Sequence, residues 1–205
     1  MSGHRSSKAV LYLGLAACVL TLDSCALLKF GRKGESKRGF PRRIAVLPTA
    51  NLTNDVGAGV ILRYFLERGL AGKGFVLTAD SNDVDRRLRQ IGITDGTQLS
   101  QGNIQYAGQT LEADGVVQST LRRFSQQPGE SRKALQADFT FILTQTGRIL
   151  WSETVEVEGK GEVKIPIRGS ASMEWSEKFV RSIARGQAGA LPRKAVKEAL
   201  GSLRP

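Results

Sequence analysis

Few side chains in this sequence can carry catalysis or metal binding, and those that can are unevenly placed. His4 is the only histidine, and the only thiols, Cys18 and Cys25, stand close behind it. A cysteine preceded by small residues at the end of an apolar run has the pattern of bacterial lipid attachment, in which the leader is cut away and the cysteine becomes the acylated first residue. Leu15-Ala16-Ala17-Cys18 has that form, and Leu22-Asp23-Ser24-Cys25 is a second candidate. The apolar run before Cys18 is short, with Lys8 nearby, whereas Asp23 puts a charge two residues before Cys25. Cys18 is the preferred site and Cys25 its alternative.

With the imidazole and both thiols ahead of it, the remaining domain has no histidine base, triad or thiolate metal site. The sequence therefore predicts no catalytic residue, no metal and no cofactor. Gly57-Ala58-Gly59 stands where a phosphate loop would open a helix, but lacks the third glycine of a dinucleotide fingerprint and the Gly-Lys-Ser/Thr of a P-loop. Close helix packing is the expected use. Asp80, Asp83 and Asp85 are followed at once by Arg86, Arg87 and Arg89, which predicts capping and ion pairs. Glu153, Glu156 and Glu158 read as solvated or edge-protecting charges. Arg122 and Arg123 suit an anion or an ordinary strand end. The one acid pair to consider for glycan hydrolysis is Asp80 with Asp114.

The elements that would position these groups follow from periodicity. Ile44-Ala45-Val46-Leu47, stopped by Pro48, predicts a strand buried on both faces. Asn51 to Asp55 offers caps for a helix from Val56 to Ala71 with Val60, Ile61, Tyr64, Phe65 and Arg68 on one face. Phe75 to Thr78 is a second strand, so the opening is a parallel β-α-β unit. Helices are expected over Asp83–Gln90 and Gly102–Glu112, then a strand over Val116–Phe124. Leu135, Ala137, Phe139, Phe141 and Leu143 alternate with polar neighbours, and Ile149, Trp151, Val155 and Val157 continue the pattern. That predicts an antiparallel three-strand meander with one covered face, Trp151 being read as a core residue with interface placement as its rival. Trp175, Phe179 and Ile183 predict a helix face after a loop from Gly159 to Ser172, and Val196, Leu200 and Leu203 a last helix after Pro192. The expected fold class is α/β, a three-layer-like sandwich with a mixed sheet and C-terminal helices.

Composition sets the outer limits. The 205 residues are 40% hydrophobic and 24% charged, with 30 Lys+Arg against 19 Asp+Glu and a net charge of +11. This excludes collagen-like, wholly disordered and multi-span membrane chains and predicts attraction to anionic surfaces. Aromatics make up 6%, all within apolar patterns, which argues against a single-strand nucleic-acid platform. The apolar run Ala9–Leu22 falls short of the roughly 20 residues of a spanning helix but suits a signal peptide. The expected organisation is a signal over 1–17, a tether over 18–40 and one domain over 41–205. Lys29, Arg32, Lys33, Lys37, Arg38, Arg42 and Arg43 oppose a single acid, Glu35. Beside a lipid anchor they would add about 1 kcal/mol each of adhesion to an anionic leaflet, or serve only as a solvated linker.

Arg43-Ile44-Ala45-Val46-Leu47-Pro48 followed by Asn51-Leu52-Thr53-Asn54-Asp55 resembles the opening strand and loop of the TolB amino-terminal-domain superfamily, the group of CsgG- and LpoB-like envelope lipoproteins. Leu88-Arg89-Gln90-Ile91-Gly92-Ile93-Thr94 is similar to its helix-to-turn segment. Leu111-Glu112-Ala113-Asp114-Gly115 resembles its L-G-A-D entry into a strand, with Glu112 in place of the usual glycine. Gly147-Arg148-Ile149-Leu150-Trp151 resembles its G-x-x-L-W hairpin return. These pieces run in the expected order over Pro41–Val157.

The resemblance implies an α/β sandwich used as an interaction or assembly module, without a shared catalytic site. The expectation is a lipid-anchored, periplasm-facing outer-membrane protein with a non-enzymatic binding or assembly role. Its expected partners are membrane lipid through the acylated cysteine, an envelope protein or peptidoglycan, and a second copy of itself, with no nucleic acid. A CsgG-like secretion pore and a carboxylate-based glycan hydrolase are the alternatives.

Overall fold

The computed structural model describes residues 39–126, 133–159 and 176–205. Strand β1 (Arg43–Val46) leads through a kink at Pro48 into the short β2 (Ala50–Asn51). Helix α1 (Val56–Gly72) follows, then β3 (Val76–Leu77), α2 (Ser81–Gln90) and, after a 3-10 turn over Gly96–Gln98, α3 (Ile104–Thr110). Three long strands come next, β4 (Gly115–Gln126), β5 (Lys133–Leu143) and β6 (Ile149–Gly159). Helices α4 (Glu177–Arg185) and α5 (Ala190–Ser202) close the chain.

The sheet runs β3-β1-β4-β5-β6, with β2 paired to β4. β3, β1, β4 and β2 are mutually parallel where they pair, and β5 and β6 add on as antiparallel strands. The fold class is mixed α/β with C-terminal helices, as the periodicity implies. β1 is buried on both faces because each face has its own core. Ile44 and Val46 enter the core under α1, α4 and α5, while Ala45 and Leu47 enter the one under α2 and α3. Two helical layers on one sheet follow directly from a continuous apolar strand.

Local chemistry sets the helix ends. Asp55 Oδ1 accepts from the nitrogens of Gly57 and Ala58, both at 3.1 Å, and so caps α1. Asn51 braces that turn, its Nδ2 donating to Asp55 O at 2.7 Å. Asp80 caps α2 by accepting from Asp83 N at 2.9 Å. Each satisfies donors that the first helical turn leaves open. Pro192 lies inside the first turn of α5, where its missing N–H costs nothing.

Two bulges redirect the alternation. Leu121 pairs with Ala137 and Arg123 with Gln136, so Arg122 is the extra residue. The slip puts Phe124 on the same core face as Leu121, three residues earlier. On β6, Trp151 pairs with Phe141 and Ile149 with Ile142, which makes Leu150 the extra residue. Leu150 and Trp151 both pack against the α1-side core, whereas Ile149 leaves that face and is 55% exposed. This corrects the expected grouping of Ile149 with Trp151, because a bulge resets the period of two. Trp151 is half-buried at the rim, 6.4 Å from the ring centre of Phe139, and is not a central core residue.

The α1 stripe is also rotated from expectation. Ile61, Leu62, Leu66 and Leu70 are fully buried, while Val60, Tyr64 and Phe65 are only partly covered. On α4 the buried positions are Val180 and Ala184 in place of Phe179 and Ile183; Trp175 and the Ile165-Pro166-Ile167 loop lie outside the described residues. Phe40, assigned to the tether from sequence, packs on Phe141 and Phe75 with ring centres 5.3 and 6.5 Å apart.

Candidate functional site

The acids proposed from sequence do not converge. Asp80 follows the C-terminal end of β3, and Asp114 precedes β4, its nitrogen donating to Arg43 O at 3.0 Å. By register the two lie at opposite ends of parallel strands with β1 between them, about four residues or 13 Å apart along the strand direction. Asp83 pairs with Arg86 and Arg87, whose hydrogen bonds and charges outweigh desolvation and hold its carboxyl below the ordinary range. Asp85 turns away to Arg63. Among the described residues no three acids, histidines or cysteines group as metal ligands. Arg122 and Arg123 are neutralised across the sheet by Asp138 and Glu156.

The crevice that parallel α/β sheets usually open at the C-terminal end of β1 is filled. Here β2 continues the path of β1 along β4, Ala50 pairing with Thr120, and Thr49 Oγ1 lies 2.8 Å from Ser119 Oγ. A Cβ on Gly59 would meet the Cβ of Asn51 at 3.3 Å, and one on Gly96 would lie 2.5 Å from Ala50 N. Gly59, in the run Gly57-Ala58-Gly59, thus allows α1 to lie close on β2, the helix packing expected of it.

Beneath that corner lies a buried ionic group that the sequence reading missed. Arg63 is 5% exposed; its Nη1 donates to Asp85 Oδ1 at 2.6 Å and its Nη2 to Val46 O at 2.8 Å. Glu67 sits 3.4 Å from Arg63 Nε and accepts from Ser81 Oγ at 2.7 Å. Burial pushes the Glu67 carboxyl above its ordinary range, opposed by Arg63 and the Ser81 hydrogen bond. The cluster ties α1 to β1 and α2, a structural role. An arginine within the run Ile61-Leu62-Arg63 was the available signal.

A cleft of about 300 Å³ opens among α1, α4 and α5. Tyr64, Phe65 and Arg68 of α1 face Arg181, Ala184 and Arg185 of α4, and Arg193 enters from the first turn of α5. The guanidinium carbon of Arg68 stands 5.6 Å from the Tyr64 ring centre and that of Arg193 stands 5.1 Å from the Phe65 ring centre, both within cation–π range. Arg193 Nη2 also donates to Ala184 O at 2.9 Å. Arg181 is held by Glu177 first and Tyr64 second, which raise its affinity for its proton. Arg68 fell on the predicted apolar face of α1, and that misfit was the sequence signal for the cleft.

Of the predicted site residues, Cys18, Cys25, Lys29, Arg32, Lys33, Lys37 and Arg38 lie outside the described residues. Arg42 and Arg43 do not belong to a free tether. Arg42 O accepts from Val76 N at 2.7 Å, and Arg43 opens β1 with its Nη2 donating to Glu112 O at 3.1 Å. No helix among the described residues is long and apolar enough to cross a membrane.

No protein-family profile and no curated protein sequence matches the chain. Among solved structures it is similar to lipoprotein GNA1162 of Neisseria meningitidis, with a TM-score of 0.51 and 18% identity over 70% of this chain and 93% of that one. The PelC dodecamer of Paraburkholderia phytofirmans matches at 0.49 and 14% identity, over 79% of this chain and 87% of that one. The C-terminal domain of LpoB from Escherichia coli matches at 0.43 and 21% identity, over 57% and 82%. The fold is therefore one that a bacterial lipoprotein also uses.

Proposed function

We propose that this chain is a lipid-anchored bacterial cell-envelope protein of the TolB amino-terminal-domain group, with a non-enzymatic binding or assembly role. Acylation at Cys18, or at Cys25, holds it on the periplasmic side of the outer membrane, and its partner is an envelope protein or peptidoglycan. The observation that carries this reading is Leu15-Ala16-Ala17-Cys18 at the end of an apolar run, ahead of a domain whose fold is shared with lipoprotein GNA1162. Two or three acyl chains hold a protein stably where one would not. Neither cysteine is followed by aspartate, since Val19 and Ala26 come next, and this favours the outer membrane in the usual envelope sorting logic.

The non-enzymatic part rests on the absence of histidine and cysteine after Cys25 and on the separation of Asp80 from Asp114. Metabolic labelling with a fatty-acid probe tests the anchor: label should be lost in Cys18→Ser or, failing that, in Cys25→Ser. Label retained in the double variant overturns the reading. Crosslinking in intact envelopes should then trap a discrete partner or a self-oligomer.

A further inference from the structure

The arginine cleft plays no part in the anchor reading and stands independently of it. The geometry points to a binding site there for a phosphate group carrying about two or more negative charges, a phosphomonoester or a pyrophosphate. Four guanidinium groups, those of Arg68, Arg181, Arg185 and Arg193, line one cavity. The acid paired to them among the described residues is Glu177, on Arg181. Among the described residues the cleft therefore keeps an excess of positive charge.

Three of the four are already oriented. Arg68 lies over Tyr64, Arg193 is fixed by Phe65 and by Ala184 O, and Arg181 is held by Glu177. Guanidinium planes set in advance lose little freedom on binding and present paired N–H donors that match phosphate oxygens. Arg185, one helical turn beyond Arg181 on α4, is exposed and supplies the fourth guanidinium. The concentration of positive charge decides the class of anion. A lone carboxylate would neutralise one of these charges, whereas four guanidinium groups converge on a single cleft. A phosphomonoester brings about −1.5 to −2 on one compact group, and a pyrophosphate brings more.

The test is calorimetry on the detergent-solubilised full-length chain at low salt, with two ligands. Inorganic pyrophosphate represents a free anion, and dihexanoyl phosphatidic acid, below its micelle concentration, represents a lipid headgroup. Saturable binding of either supports the proposal, and the tighter of the two identifies the source. Arg68→Gln/Arg185→Gln should weaken that binding about tenfold or more, and raised salt should weaken it further. Arg185→Gln alone, a change at an exposed position, should show a smaller loss with the melting temperature unchanged. Arg122→Gln, which touches only the far face of the sheet, should bind normally. Three results would each overturn the proposal: no binding of either ligand, undiminished binding in both cleft variants, or tighter binding of a hexaglutamate peptide than of both phosphates.

Discussion

The indole Nε1 of Trp151 donates to Ser202 Oγ at 2.9 Å, and that hydroxyl lies 2.6 Å from Glu153 Oε2. Trp151 thus joins the outer strand to the last turn of the C-terminal helix while its ring rests on Phe139. Trp151→Ala should lower stability by about 2–3 kcal/mol, below the 3–5 kcal/mol of a fully buried aromatic. Trp151→Phe should cost about 1 kcal/mol, the worth of one hydrogen bond, and Ser202→Ala, which removes the bonds to both Trp151 and Glu153, about 1–2 kcal/mol. Urea unfolding of the three variants measures this, and a Trp151→Ala loss under 1 kcal/mol would refute the strand-to-helix tie.

Glu112 has φ 52°, the one described non-glycine residue in the left-handed region. The side-chain contribution there is a long, exposed contact with Arg87 at 3.5 Å, while the carbonyl that accepts from Arg43 belongs to the backbone. Glu112→Gly should therefore relieve strain and raise stability by up to about 1 kcal/mol. A lower thermal midpoint in Glu112→Gly would contradict the assigned conformation.

Glu67 gives stability a pH dependence of known sign. Its folded carboxyl titrates above its unfolded value, so the folded state binds more protons in between. That contribution is complete below about pH 4.3, where free glutamate titrates, and is lost as pH rises through the raised value. Glu67→Gln keeps an acceptor for Ser81 and should flatten this fall. Asp83 has the opposite sign and is the same in both proteins. Denaturant midpoints from pH 4 to 7 should converge at the acid end and part toward neutrality with the variant higher; parallel curves would count against it.

Phe40 extends the folded core beyond Pro41. Phe40→Ala removes ring contacts with Phe75 and Phe141 and should cost about 2–3 kcal/mol, since the site is partly covered. Unfolding of the whole chain reads this directly, and an unchanged midpoint would return Phe40 to the tether.

What the sequence made legible was whatever rests on simple period. The two-sided burial of Ile44 to Leu47 and the strict run Leu135, Ala137, Phe139, Phe141 each imposed one facing, and the structure has it. Asp55 and Asp80 cap helices where short polar side chains precede apolar periodicity. The misses share a physical cause. A bulge at Leu150 adds one residue and sends Ile149 to the other face, and nothing in the residue types marks it. On α1 the half-buried margin holds Tyr64 and Phe65, which look like central core until α4 and α5 are placed beside them. The arginine cleft depends on three helices meeting, and its residues span Tyr64 to Arg193, so only Arg68 hinted at it.

The margins of the sheet carry a last consequence. On one side β3 offers two residues. On the other, β6 has its bulge at its first residues, keeps an unbroken register from Trp151 to Gly159 and turns Glu153 toward the helical layer, where Ser202 meets it. A visiting strand would find too few free backbone groups on the first margin and, on the second, a regular rail that carries Glu153, Glu156 and Glu158. Among the described residues, then, β3 is too short to annex a new strand, and at β6 only the negative charge of its acids discourages one, so a strand that joins this ladder has to bring basic side chains to it.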